Sequence, residues 1–150
     1  MRTTLLAGLV VVLILLSACG GSGPAGEPVT KAEDVLGVWH RTKRFANWER
    51  GIYFGLRADG TMGFSRVPDN WDYEWMTLEF DFEGTRFSVT ETAFRARGRH
   101  QYSCATGIGA PSGVYEMQLL ANGNLKFVNA QDNCYWRSAM FTESEWEPVP

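Results

Sequence analysis

The chain has 150 residues, with 14 basic and 17 acidic side chains, a formal net charge of −3 and 45% hydrophobic residues. That is enough for one domain with a real core and too little for two. A near-neutral, slightly acidic balance argues against a nucleic-acid partner. From the N-terminus, Arg2 is followed by an uncharged run from Leu5 to Leu16. Twelve residues of helix rise about 18 Å, short of the roughly 30 Å hydrocarbon core of a bilayer. A basic start, a short apolar run and small residues at its end predict a secretory signal peptide over 1–18. Gly20 to Pro28, GGSGPAGEP, reads as flexible tether. Residues 19–33 are therefore assigned to the tether and 34–147 to the folded domain.

The signal ends in Leu16-Ser17-Ala18-Cys19. An aliphatic residue, two small residues and a cysteine in this place resemble the lipobox of bacterial lipoproteins. The resemblance implies cleavage after Ala18 and a diacylglyceryl group on Cys19. It also implies a lipid-anchored domain on the extracytoplasmic side of a cell membrane or outer membrane. One acyl chain binds a bilayer only marginally, while two or three hold firmly. Cys104 and Cys134 then form an even pair in an oxidising setting and are expected to bond. The closed loop of about 31 residues is worth roughly 3.5 to 4 kcal/mol in the chain-entropy model. Neither His40 nor His100 stands at metal-ligand spacing from that pair, so no metal and no cofactor is expected.

The mature chain alternates with period 2 rather than 3.6. Met76-Thr77-Leu78-Glu79-Phe80-Asp81-Phe82 puts its apolar residues on one face, as a half-buried antiparallel strand does. Residues 51–57 place Ile52, Phe54 and Leu56 together in the same way. Asp59-Gly60, Glu83-Gly84 and Asn122-Gly123 mark turns leading to strands at 61–64, 86–90 and 125–128. Further strands are expected at 36–43, near 99–104, at 113–120 and at 134–141. About nine short strands at this spacing predict an all-β meander closed into a barrel, or a sandwich, and hairpin connections throughout favour the antiparallel up-and-down barrel. Closure also removes the sheet edges that promote aggregation.

Leu36-Gly37-Val38-Trp39 at the head of the first barrel strand resembles the Gly-x-Trp signature of lipocalins and their calycin relatives. Gly-Ile-Tyr-Phe with Asp-Gly, then Gly-x-Tyr-Glu, resembles the lipocalin-like domains of small bacterial lipoproteins. The resemblance implies that Gly37 and Trp39 plug one end of the barrel. It also implies that a basic residue of the last strand, here Arg137, packs across the Trp39 indole.

No Gly-x-Ser-x-Gly elbow, phosphate loop or paired histidines point to an enzyme. A hydrolase would need His40 or His100 to meet a serine or carboxylate in a cleft. The expected role is non-covalent binding of a small apolar or amphipathic molecule, in the barrel or at its mouth. The inward faces supply Ile52, Phe54, Leu56, Leu78, Phe80, Phe87, Val89, Tyr115 and Met117 as lining. Trp48, Trp71 and Trp75 supply aromatic contacts at the mouth, the alternative for the 71–75 stretch being a flap folded onto the core. The alternative is a solid barrel that acts as a protein-interaction or structural module of the cell envelope. The cationic stretch 94–100 reads as a solvated hairpin end.

Overall fold

The computed structural model describes residues 26–45, 51–68, 75–95, 104 and 112–150. The strands are β1 Glu27–Pro28, β2 Gly37–Arg41, β3 Tyr53–Leu56, β4 Thr61–Ser65, β5 Met76–Glu83, β6 Arg86–Phe94, β7 Ser112–Leu119, β8 Leu125–Gln131 and β9 Glu145–Pro148. A 3-10 helix, Ala32–Asp34, precedes β2, and one α-helix, α1 Tyr135–Thr142, lies between β8 and β9. From β2 to β9 each strand pairs antiparallel with the next, and β9 returns to β2. The result is a closed eight-stranded up-and-down barrel, compatible with a calycin-like fold. β1 is the additional strand, laid against Gln118 and Leu119 of β7.

The alternation read from the sequence puts the core inside this barrel. Phe54, Phe64, Met62, Met76, Leu78, Phe87, Tyr115, Met117 and Phe127 are all buried. Trp146 of β9 joins them, its ring centroid 4.6 Å from that of Phe54. Phe141 enters from α1 and lies 4.5 Å from Phe127 and 4.9 Å from Tyr115, centroid to centroid. An eight-stranded barrel is only just wide enough to be filled by side chains or to hold one small ligand. Here large side chains take up the interior.

Two expectations are corrected. The stretch 134–141, read as the last strand, instead caps and enters α1, Tyr135–Thr142, and the last strand is Glu145–Pro148. Aromatic side chains favour strands, and an eight-residue helix is too short to show its period. Its buried residues Arg137, Met140 and Phe141 nevertheless fall at the i, i+3, i+4 spacing of one helix face. The folded unit also begins before residue 34. Glu27 and Pro28 pair with β7, and Val29 is buried, its N–H bonded to the Met117 carbonyl at 2.9 Å. The strand expected near 99–104 lies outside the described residues except for Cys104.

The topology separates two kinds of connection. At one end, residues 57–60, 84–85 and 120–124 close tight hairpins. At the other end the strand ends are separated by more residues, 11 from β2 to β3, 10 from β4 to β5, 17 from β6 to β7 and 13 from β8 to β9, the last stretch containing α1.

Candidate functional site

The long-connection end is built around a buried ion pair. Asp132 follows β8 and turns its carboxylate inward. Arg137 donates to it from Nε at 2.6 Å and from Nη2 at 2.8 Å. Both side chains are fully enclosed. The Tyr115 hydroxyl donates to the same carboxylate, and the Cys134 N–H bonds to Oδ1 at 2.7 Å. The space for Asp132 comes from Gly113 on β7, where any Cβ would collide with the carboxylate. Burial pushes the Tyr115 phenol well above its ordinary value, and the hydrogen bond and charge of Asp132 push it further. Burial alone would lower the Arg137 guanidinium, but Asp132, with help from Tyr115, more than offsets it and holds it above the usual range.

The disulfide expected from the sequence is present. Cys104 and Cys134 are joined with Cα atoms 5.8 Å apart, inside the ordinary range. The bond ties the β6–β7 connection to the start of α1. The Cys104 N–H donates to buried Glu91 on β6 at 2.9 Å.

A second buried arginine grips the other end of α1. Arg41 on β2 donates from Nε to the Met140 carbonyl at 3.1 Å and from Nη2 to that of Ala139 at 3.4 Å. Its Nη1 reaches the Lys43 and Arg44 carbonyls, and the guanidinium lies over the Phe45 ring at 5.2 Å. A cation at a helix C-terminus meets orphan carbonyls and the negative end of the dipole. Burial lowers the Arg41 pKa, and Glu143 partly opposes this. Sequence reasoning missed this residue. Its only signal was an arginine in phase with Trp39 on the inward face of a strand.

The residues singled out from the sequence fall into three groups. Ile52, Phe54, Leu56, Leu78, Phe87, Val89, Tyr115 and Met117 come together as expected, packed against one another as core. Trp75 is buried too, 5.6 Å from Phe64 and 5.9 Å from Phe94 between ring centroids. Phe80 is partly buried at the tight-turn end. Trp48, Trp71, His100 and Cys19 lie outside the described residues.

The residues expected to plug the barrel are divided by the fold. Gly37 holds φ +128°, a region that L side chains rarely adopt. Trp39 is buried, and its indole N–H bonds to the Val35 carbonyl at 2.9 Å, which draws the 3-10 segment onto the barrel. Arg137 sits on α1 rather than on the last strand, and Asp132 is its ion-pair partner. His40 points away from Trp39, pairs with Glu147 at 2.7 Å and stacks on Tyr53.

A groove of about 330 Å³ opens at the tight-turn end. Its walls are the segment 30–33, the β3–β4 turn and the end of β5. Phe80 and Phe82 give it apolar surface. Lys31 and Arg57 bring two cations, and Glu33 and Asp81 two carboxylates. The volume is at the lower end of the range for small-molecule sites. The turn beside it is stiffened by Asp59, whose Oδ1 accepts the Thr61 N–H at 2.9 Å and hydroxyl at 2.6 Å. These bonds hold the Asp59 carboxyl below the usual range. No family model, curated protein or solved structure matches the chain.

Proposed function

We propose that the chain is a membrane-anchored extracytoplasmic lipoprotein of the bacterial envelope, with its signal over 1–18 and its anchor on Cys19. Its lipocalin-like barrel binds a small amphipathic molecule without catalysis. The ligand sits at the rim, in the groove walled by Lys31, Arg57, Phe80 and Phe82, and not inside. The observation that carries this reading is the filled interior. Phe54, Phe64, Phe127, Phe141 and Trp146 are buried in mutual contact, which favours a ligand site on the surface, and the rim groove is open to one. A groove with both aromatic surface and charges suits an amphipathic molecule.

Native mass spectrometry of the mature protein from its own membrane tests this, compared with the same sample denatured. The expected result is one released small molecule in stoichiometric amount, lost in a Lys31→Glu, Arg57→Glu variant. A domain that carries only the lipid on Cys19 contradicts it.

The filled interior also supports a second reading, a solid module that contacts an envelope protein. Tyr135 on α1 favours it, as a large aromatic side chain left 68% exposed at the long-connection end. Its ring packs edge-on against Trp136.

A further inference from the structure

We propose that the tight-turn end faces the bilayer, and that the rim groove takes the zwitterionic head group of a phospholipid from it. This rests on the lipid anchor and the groove reading above. The orientation comes from β1. Glu27 pairs with Leu119 and Pro28 with Gln118, so the chain enters the fold beside the 120–124 turn. Gly26 lies against that same place. A Cβ there would stand 2.9 Å from the Leu119 carbonyl and from Leu120 Cδ2, so only glycine fits this close approach.

Seven residue steps separate Gly26 from Cys19. Fully stretched, that length spans about 25 Å, and a Gly/Ser-rich chain averages about 15 Å end to end. The eight residues of β7 run about 26 Å; at the roughly 35–45° tilt of barrel strands they rise about 20 Å along the axis, and the long connections lie beyond their far end. A barrel standing on its long-connection end would stretch its anchor well past that mean length. Standing on its tight turns, it needs no stretch. The groove then opens within a tether's length of the lipid surface.

Charge selects the head group. The groove sets Lys31 and Arg57 against Glu33 and Asp81, a balanced set that matches a phosphate joined to an ammonium. Asp34, Asp59 and Glu83, each next in the chain to a groove residue, add carboxylates, and Arg86 opposite Glu83 adds a cation; elsewhere at this end Glu27 and Lys126 balance each other. An anionic surface would be repelled by this end, whereas a zwitterionic one would not. Phe80 and Phe82 offer apolar surface to the first carbons of the acyl chains.

The test uses the full lipidated protein in phosphatidylcholine vesicles doped with a head-group-attached quencher. A fluorophore is placed at Thr85→Cys, in the β5–β6 turn, or at Glu143→Cys, beyond α1. The expected result is several-fold stronger quenching at position 85 than at 143. Equal or reversed quenching overturns the orientation and leaves rim binding of a soluble molecule standing. In parallel, a photoreactive phosphatidylcholine should label the segments holding Arg57 and Phe80–Phe82. That labelling should fall in the Lys31→Glu, Arg57→Glu variant and when phosphatidylglycerol replaces most of the lipid. Labelling elsewhere, or unchanged in the variant, overturns the head-group assignment. If the native protein also releases no small molecule, the rim-binding reading itself fails.

Discussion

The two ends of the barrel are closed by different chemistry. At the tight-turn end the β1–β7 pairing and the Asn124–Glu145 bond reach across the chain, but the bonds that close the hairpin turns are local. Asp59 accepts from Thr61, Asn122 accepts from the Asn124 N–H at 3.0 Å, and Gly123 donates to the Leu120 carbonyl at 2.9 Å. Each spans only a few residues, so each turn forms largely on its own. At the long-connection end the bonds join distant parts of the chain. Arg41 reaches across to Ala139 and Met140, Asp132 ties Tyr115 to Arg137, and Cys104 is bonded to Cys134. β9 pairs with β8 only at Leu125 and Lys126, so beyond that point α1 packs on β8 in place of a strand. Single substitutions should therefore cost far more at this end.

The largest effect is expected from breaking the buried ion pair. Asp132→Ala or Arg137→Ala leaves an uncompensated buried charge and should cost about 3 to 5 kcal/mol in urea unfolding. A loss below about 1 kcal/mol would mean that α1 is not held through this pair. Next comes the disulfide. The Cys104→Ser, Cys134→Ser double variant should lose roughly 3.5 to 4 kcal/mol against the oxidised protein, measured the same way.

Tyr115→Phe removes one hydrogen bond to a carboxylate, worth about 2 kcal/mol. It also changes the response to pH. The folded phenol is raised above its unfolded value of about 10. The stability it contributes is fully present below about pH 10 and is lost as the pH climbs from there toward the folded value. Unfolding curves measured across this window should flatten in the variant. An unchanged alkaline slope would place the titrating group elsewhere. At the opposite end, Gly123→Ala forces φ +83° on a residue with a Cβ and should cost only about 1 to 2 kcal/mol. A loss as large as that of Asp132→Ala would erase the contrast between the ends.

The same contrast decides what could be read from the sequence. Asp59-Gly60, Glu83-Gly84 and Asn122-Gly123 announce their turns within two residues, and the strands they join show period 2 over four to nine residues. The meander and the inward set, Phe54, Leu78, Phe87 and Tyr115 among them, were legible for that reason. The closure at the other end was not. Nothing near Gly113 says that its missing side chain makes room for Asp132. Arg41 finds its carbonyl partners 98 and 99 residues away. Tyr135 to Thr142 carries enough aromatic residues to pass for a strand, and its helical face shows only once Met140 and Phe141 have a barrel to fill. β1 was hidden by composition, because GGSGPAGEP describes a tether until Leu119 offers it an edge. The groove was hidden too, since period 2 sets Phe80 on an inner wall and Lys31 falls within the tether's span.

The central claim is that the barrel interior is filled, so that a ligand meets the rim. Xenon titration followed by methyl and aromatic NMR tests it most directly, since dry apolar cavities of ligand size take up xenon. With the interior filled, no saturable shift is expected at Phe54, Phe127 or Phe141. A saturable xenon site among those three rings would contradict it and return the ligand to the inside of the barrel.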